Sequence, residues 1–464
     1  MKARWTLPLL SIAIVLIALP SSPARQADGP ASSRHATPEL PASCTSFCLD
    51  VGDRCVFGTN NDNTLQSGYL YVNKRGVMKT TWDPSTSGEY GRWTSKYGSV
   101  TINFVSYQMA WGGMNETGLV ISTMSLNQSR GPVPDERLPF QSPFWMQYQL
   151  DMHSTVEQVI ASDSDVRLPE SQVDHYLVCD RTGACAVIEF LEGRLVVHAG
   201  DSLPVKALTN STYATSLQEM DRIHQEGGEI TDDSMRRFVG AADRLAQYAS
   251  SGAGDALEYA FDTLEAVSRP DTAWSFVYDP AELRVHFRSA RNPNIRSLAL
   301  ADLDLSCRTP ARMLDVHAPG SGDIGDQLVA YSHAAGFAHA VIFFTQYEGF
   351  SMSPFLVDTL LTGLESFPCQ EDRTPAAMDL QRYSLIMPPT VVWAGRTLLH
   401  RLLPGWAALV GVSLVCLLWL MRTDKPTATG RPLRWILMTL ILGPVGLLAY
   451  VITHRKRRQG LQAA

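Results

Sequence analysis

Cys44-Thr45-Ser46-Phe47-Cys48-Leu49-Asp50-Val51-Gly52-Asp53-Arg54-Cys55-Val56-Phe57-Gly58-Thr59-Asn60-Asn61-Asp62 is the stretch on which the fold turns. Two runs rich in apolar and β-branched residues, 45–49 and 55–59, flank Val51-Gly52-Asp53, and that arrangement predicts a β-hairpin. Cys48 and Cys55 would face each other across it. Residues 25–43, just ahead, are rich in Pro, Ser and Ala and read as a disordered leader. The character of the chain therefore changes at Cys44.

Outward from the hairpin, short strands are expected at 69–73, 99–107 and 118–124. Helical periodicity follows at 144–150 and 155–161. Strands return at 176–179, 186–191 and 194–198, helices at 235–250 and 253–266. A last hairpin, 273–278 with 284–288, would turn at Asp279-Pro280. Strands in blocks and helices in blocks predict a layered α+β domain, not a doubly wound one. Residues 304–369 are assigned to the same domain, which then runs from 44 to 369. Residues 370–401 read as a linker and pre-membrane segment.

The chain has 464 residues, 45% hydrophobic and 18% charged, enough for a substantial core. Its net charge of −7 comes with no basic stripe, so nucleic acid is not an expected partner. Lys2 and Arg4, an apolar run over 5–19 and small residues to Ala24 read as a signal peptide over 1–24. An uncleaved anchor is the competing reading. Residues 402–421 and 435–453 are apolar runs without charges, each about 30 Å long as a helix. Basic residues bracket both, and Trp406, Trp419, Trp435 and Tyr450 lie near their ends, so a membrane hairpin is expected over a pair of buried helices. The loop 422–434 carries four basic residues and would lie in the cytoplasm, with the main domain outside. The basic tail 454–464 then falls on the outer side, against the positive-inside rule.

Cys416 falls in the first apolar run. Cys179 and Cys185 flank another short turn, and Cys307 and Cys369 remain as a distant pair. The expected disulfides are Cys48–Cys55, Cys179–Cys185 and Cys307–Cys369, although connectivity does not follow from sequence alone and any pair could be two reduced core thiols. Cys44 is left over, which invites a reactive role. The chain lacks GxSxG, GxxxxGK[ST] and HExxH motifs. His333 and His339 are six apart, so one helix would not align them, and no metal or cofactor is expected. Asp232-Asp233 reads as a helix-start cap and a solvated charge.

Cys44-Thr45-Ser46-Phe47 followed by Phe57-Gly58-Thr59-Asn60-Asn61-Asp62 resembles the cholylglycine hydrolase and penicillin V acylase family of linear-amide hydrolases. Its members begin, after processing, with Cys-Thr and continue to Phe-Gly-Arg-Asn-x-Asp. Val72-Asn73-Lys74-Arg75-Gly76-Val77, Gly112-Gly113-Met114-Asn115-Glu116-Thr117-Gly118-Leu119, Leu208-Thr209-Asn210-Ser211, Arg237-Phe238 and the segment Thr272 to Asp279 follow in the family's order. The resemblance implies a four-layer αββα N-terminal-nucleophile hydrolase sandwich and a small-molecule N-acyl amide substrate.

A thiolate needs a base to take its proton. If Cys44 becomes the first residue, its own α-amine, with an ordinary pKa of about 7.7–8.0, can serve. By family likeness Asp62 orients that amine, the Asn210 side chain donates to the oxyanion, and Arg237 sits behind the nucleophile. A second oxyanion donor would be a backbone N–H near Ser125. Thr59 and Asn60 are weaker candidates for contact with substrate. Two departures stand out: Thr59 replaces the family's usual Arg, and Ser125 its usual Asn. The expected reaction is hydrolysis of an N-acyl amino acid, conjugated bile salt or penicillin V type of amide through a thioester. Acyl transfer, or a binding protein that has lost the chemistry, are the alternatives.

Overall fold

The computed structural model describes residues 43–384 except 65, 82–88, 171–173, 252–253, 347–351, 366–367 and 372–377. The expected signal, nearly all of the leader, both apolar runs, their loop, Cys416 and the basic tail lie outside the described residues. Among the described residues no helix is long and apolar enough to cross a membrane.

The hairpin forms as its sequence dictates. Strand β1 (Ser43–Val51) pairs antiparallel with β2 (Arg54–Asp62), and Gly52 takes the positive φ of +68° that the tight turn needs. Phe47 lies opposite Gly58, where an added Cβ would come within 2.5 Å of the Phe47 ring. That glycine therefore gives the ring its place over the neighbouring strand. Nearly every residue of β2 is buried, as expected of a strand covered on both faces.

Two sheets result. In the seven-stranded sheet β1 lies between the short strand Ala207–Leu208 and β2, and β2 lies beside Thr272–Asp279. The nine-stranded sheet runs from Arg194–Ala199 through Cys185–Leu191, Asp174–Cys179, Val120–Ser125, Gly112–Asn115 and Ser99–Asn103. It ends with β3 (Tyr69–Asn73), Arg312–Asp315 and Val329–Ala330. Polar contacts bridge the sheets: Ser46 Oγ to Met124 Sδ at 3.2 Å and Thr59 Oγ1 to Ser122 Oγ at 3.0 Å.

Helices cover the outer faces. Helices α1 (Ser142–Met152) and α2 (Val156–Ala161) pack on the nine-stranded sheet, with Tyr176 donating to Ser142. Helices α3 (Tyr213–Glu226), α4 (Asp233–Ser251) and α5 (Ala256–Ala266) lie on the other side, α4 and α5 directly on β1. The order is helix, sheet, sheet, helix, the layered α+β arrangement expected.

Several boundaries differ from expectation. The strand read as 99–107 stops at Asn103, whose side chain donates to the Ser106 carbonyl and turns the chain. Helix α3 was not anticipated, although Leu217, Met220 and Ile223 lie at helical spacing and pack against the core. Nor were α6 (His333–Gln346) and α7 (Pro354–Glu365). Helix α6 is apolar around most of its circumference and so lacks the one-sided pattern that marks a surface helix. It covers the outward-facing Tyr71, whose hydroxyl meets His339 Nδ1 at 2.9 Å. His333, on the same helix, instead meets Asp358 and Glu365 of α7.

The disulfides are Cys48–Cys55, Cys179–Cys185 and Cys307–Cys369, and Cys44 is the free cysteine of the described residues. The first two join cysteines 7 and 6 positions apart within hairpins, whereas the third ties positions 62 apart. Loop-closure entropy makes the third the largest contributor. Replacing both Cys307 and Cys369 with alanine is expected to cost about 2–3 kcal/mol in chemical denaturation, more than either hairpin pair. Peptide mapping without reductant checks the connectivity; free thiols at these positions would refute it.

Candidate active site

The hairpin register brings the first two site residues together. Cys44 pairs with Asn61 and Ser43 with Asp62, so the thiol and the carboxylate sit at the same end of the hairpin. Cys44 is only 2% exposed. Asn61 Nδ2 lies 3.5 Å from the sulfur, and the Asp62 backbone N–H donates to it. Burial pushes the Cys44 thiol up to about 12, and the Asp62 charge adds to the rise, with Arg237 opposing it. Asp62 is itself pushed up to about 6 by burial, while the Thr272 hydroxyl, donating at 2.5 Å, and Arg237 pull the other way.

Asn210, in the loop between Ala207–Leu208 and α3, completes the contact with the nucleophile. Its Oδ1 accepts from the Cys44 backbone nitrogen at 3.0 Å and from Arg237 Nη2 at 2.9 Å. Its Nδ2 donates to the Ser125 carbonyl at 2.9 Å. Both Oδ1 partners are donors and the Nδ2 partner is an acceptor, so the orientation of this amide is determined by its neighbours. One Nδ2 hydrogen remains for another acceptor.

Arg237 projects from α4 and is 1% exposed. It donates through Nη1 to the Cys44 carbonyl at 2.5 Å and to Thr45 Oγ1 at 2.8 Å, and through Nε to Asp233 at 2.9 Å. The guanidinium thus spans Cys44, Thr45 and Asn210 at once, which a lysine ammonium could not do. Partial burial tends to raise the Asp233 carboxyl, but hydrogen bonds from Arg236, Arg269 and Arg237 hold it well below the usual carboxylate range. Asp233 is therefore more than a solvated charge: it is the anchor of Arg237. Asp232 does cap the helix, accepting from the Met235 amide.

The structure thus brings Cys44, Asp62, Asn210 and Arg237 into one cluster. The weaker candidates fare differently. Ser125 meets Asn210 through its backbone carbonyl, which accepts from Asn210 Nδ2. Asn60 is committed at both ends of its amide, donating to the Leu264 carbonyl at 2.7 Å and accepting from Ser275 at 2.7 Å, and is a tie to α5 and the neighbouring strand rather than a substrate contact. Thr59 is buried between the sheets, bonded to Ser46 and Ser122. Asn61, Thr272, Asp233 and Ser234 were missed. Asn61 alone had a signal, because any hairpin turning at Gly52-Asp53 puts it opposite Cys44.

Among the described residues the metal-ligand atoms that cluster are the sulfurs of Cys48, Cys55, Cys179 and Cys185, all within 4.8 Å. As two disulfides they offer no thiolate to a metal. A cavity of about 300 Å³ opens elsewhere, lined by Lys74, Tyr107, Tyr331 and Glu365 among others, and includes none of the nucleophile cluster.

Comparison with known proteins points the same way. Residues 44–238 match the family model of linear amide C–N hydrolases, choloylglycine hydrolase family. Penicillin V acylase from Pectobacterium atrosepticum is 27% identical over 270 residues, covering 48% of this chain and 71% of that protein. The structure of penicillin V acylase from Agrobacterium tumefaciens superposes with a TM-score of 0.54 at 25% identity, over 62% of this chain and 98% of that one. A mutant form of conjugated bile acid hydrolase from Clostridium perfringens superposes with a TM-score of 0.50 at 15% identity, over 60% and 98%, and shares the fold.

Proposed function

We propose that this chain, whose residues 44–238 match the choloylglycine hydrolase family of linear amide C–N hydrolases, acts as such a hydrolase, with Cys44 as its N-terminal nucleophile, freed by removal of the preceding residues. The observation that carries the reading is the Cys44 nitrogen, held 3.0 Å from Asn210 Oδ1 beside its own buried thiol. While that nitrogen is an amide it has no basic lone pair. Once the Ser43–Cys44 bond is cut it is an amine, able to take the thiol proton.

The cut itself balances as an intramolecular acyl shift. The Cys44 thiol attacks the Ser43 carbonyl, the C–N bond breaks as the nitrogen takes a proton, and water hydrolyses the resulting thioester. In turnover the amine accepts the thiol proton and the thiolate attacks the substrate carbonyl. The free Nδ2 hydrogen of Asn210 donates to the oxyanion. The ammonium then protonates the leaving amine, and water, deprotonated by the same α-amine, releases the acid from the thioester. Asp62 orients the amine throughout, and Arg237 fixes the Cys44 carbonyl.

The substrate class is an N-acyl amino acid, a conjugated bile salt or a penicillin V type amide. A hydrolysis screen over N-acyl amino acids, acyl homoserine lactones, penicillin V and conjugated bile salts tests the activity. Product diverted by added amines would indicate acyl transfer; turnover of none of them would refute the reading.

The domain acts on the non-cytoplasmic side and is tethered by the apolar runs 402–421 and 435–453, with the loop 422–434 inside. The signal-like start and the three disulfides support this. Protease added to intact cells or spheroplasts is expected to cut near residues 370–376 and release the domain. Protection until the membrane is permeabilised would reverse the topology.

A further inference from the structure

We propose that His175 and Glu189, which the chemistry above does not use, are positioning residues that hold the Asn210 amide in its working orientation. Both are completely buried, on the adjacent strands Asp174–Cys179 and Cys185–Leu191. His175 Nδ1 lies 3.0 Å from Glu189 Oε1. His175 Nε2 lies 2.7 Å from the Thr209 carbonyl, which can only accept, so Nε2 carries a proton and donates. Glu189 Oε1 also accepts the backbone N–H of Tyr213 at 3.0 Å, at the start of α3.

One buried pair therefore grips the loop on both sides of Asn210: the carbonyl just before it and the amide three residues after. The Ser234 hydroxyl supplies a third hold, accepting the Asn210 backbone N–H at 2.9 Å and meeting Thr209 Oγ1 at 3.0 Å. The strand that carries His175 also pairs with Val120–Ser125, placing Asp174 opposite Ser125, whose carbonyl takes Asn210 Nδ2. The backbone before and after Asn210 and the tip of its side chain are thus referred to one pair of strands. Burying a carboxylate and an imidazole is costly, and apolar side chains would fill this space at less expense. What the pair supplies is a single conformation of a loop that must present one amide hydrogen to within a few tenths of an ångström.

The inference rests on Asn210 serving the oxyanion. The test compares the mature full-length protein with His175→Ala, His175→Gln and Glu189→Gln, using an amide that the wild type hydrolyses. Two quantities are measured: kcat and KM, and the rate at which iodoacetamide alkylates Cys44. Alkylation develops no oxyanion and so reports the nucleophile alone. His175→Ala is expected to lower kcat on the order of 10²-fold, the scale of a lost oxyanion donor, with KM and alkylation changed by less than about threefold. His175→Gln, which can still donate to Thr209, recovers part of the loss, and Glu189→Gln shows the same split more weakly. If His175→Ala does not fold, the other two variants carry the comparison. Unchanged kcat, or kcat and alkylation falling together, would overturn the proposal while leaving the hydrolase reading in place. A wild type that alkylates but hydrolyses no amide would sink both.

Discussion

Replacing Cys44 with alanine is expected to leave the chain uncut between Ser43 and Cys44 and to bring amide hydrolysis down to background. One atom carries both steps, because the sulfur that opens the leader bond is the sulfur that later attacks substrate. Asp62→Asn is expected to keep the fold, since an amide can still accept from Thr272, but to lower turnover by about 10²–10⁴-fold, the range for positioned acid–base catalysis. The loss arises because a neutral amide no longer holds the Cys44 ammonium in place between proton transfers. Intact mass and terminal sequencing follow the cut, and initial rates follow turnover. A fully active protein whose chain begins upstream of Cys44 would show that the nucleophile is misassigned.

Cut and uncut chains are also expected to differ in how their thiols respond to pH. In the uncut chain burial, then the Asp62 charge, push the Cys44 thiol up to about 12. The shift favours the protonated form, so the uncut thiol is overwhelmingly neutral at pH 7–8. Cleavage places an ammonium beside the sulfur, and an adjacent positive charge favours the thiolate. Alkylation at pH 7–8 is therefore expected to be faster in the cut chain by a factor of about 10² or more. Both chains can be followed by mass in one partly processed sample. Equal rates would mean that the free amine does not activate the sulfur.

Much of this was legible from the chain alone. Cys44, the glycine turn and Asp62 lie within one hairpin, so their proximity is a matter of register. The odd count of cysteines before residue 370 singled out Cys44, and the disulfide partners in the two hairpins are near neighbours in sequence. Asn210 and Arg237 came through family likeness, because nothing local marks a loop asparagine or a helix arginine as part of a site. Asp233 and Thr272 escaped for that reason: each acts through a residue that its own sequence neighbourhood does not mark, and each looks like an ordinary helix-start or strand-start residue. Asn60 reads as a site residue because its motif neighbours are functional, whereas both ends of its own amide are taken up by Leu264 and Ser275, which no local pattern announces. Helix α6 went unseen because a segment apolar around most of its circumference carries little period to read.

The placement of β1 in the interior of its sheet has a consequence for how the enzyme ages and fails. A chain terminus ordinarily frays, and a reactive group on it would spend most of its time out of place. Here residues 46 and 47 pair with Ala207–Leu208 on one side, and residues 43–51 with β2 on the other, so the end that the proposed cut would create is already fastened. Amine and thiol share one residue and one rigid strand, and their encounter carries no translational entropy; the sheet supplies the effective molarity. Such a site is expected to have no partly loosened state in which the fold persists but the terminus wanders. On heating, activity and tertiary structure should disappear over the same interval.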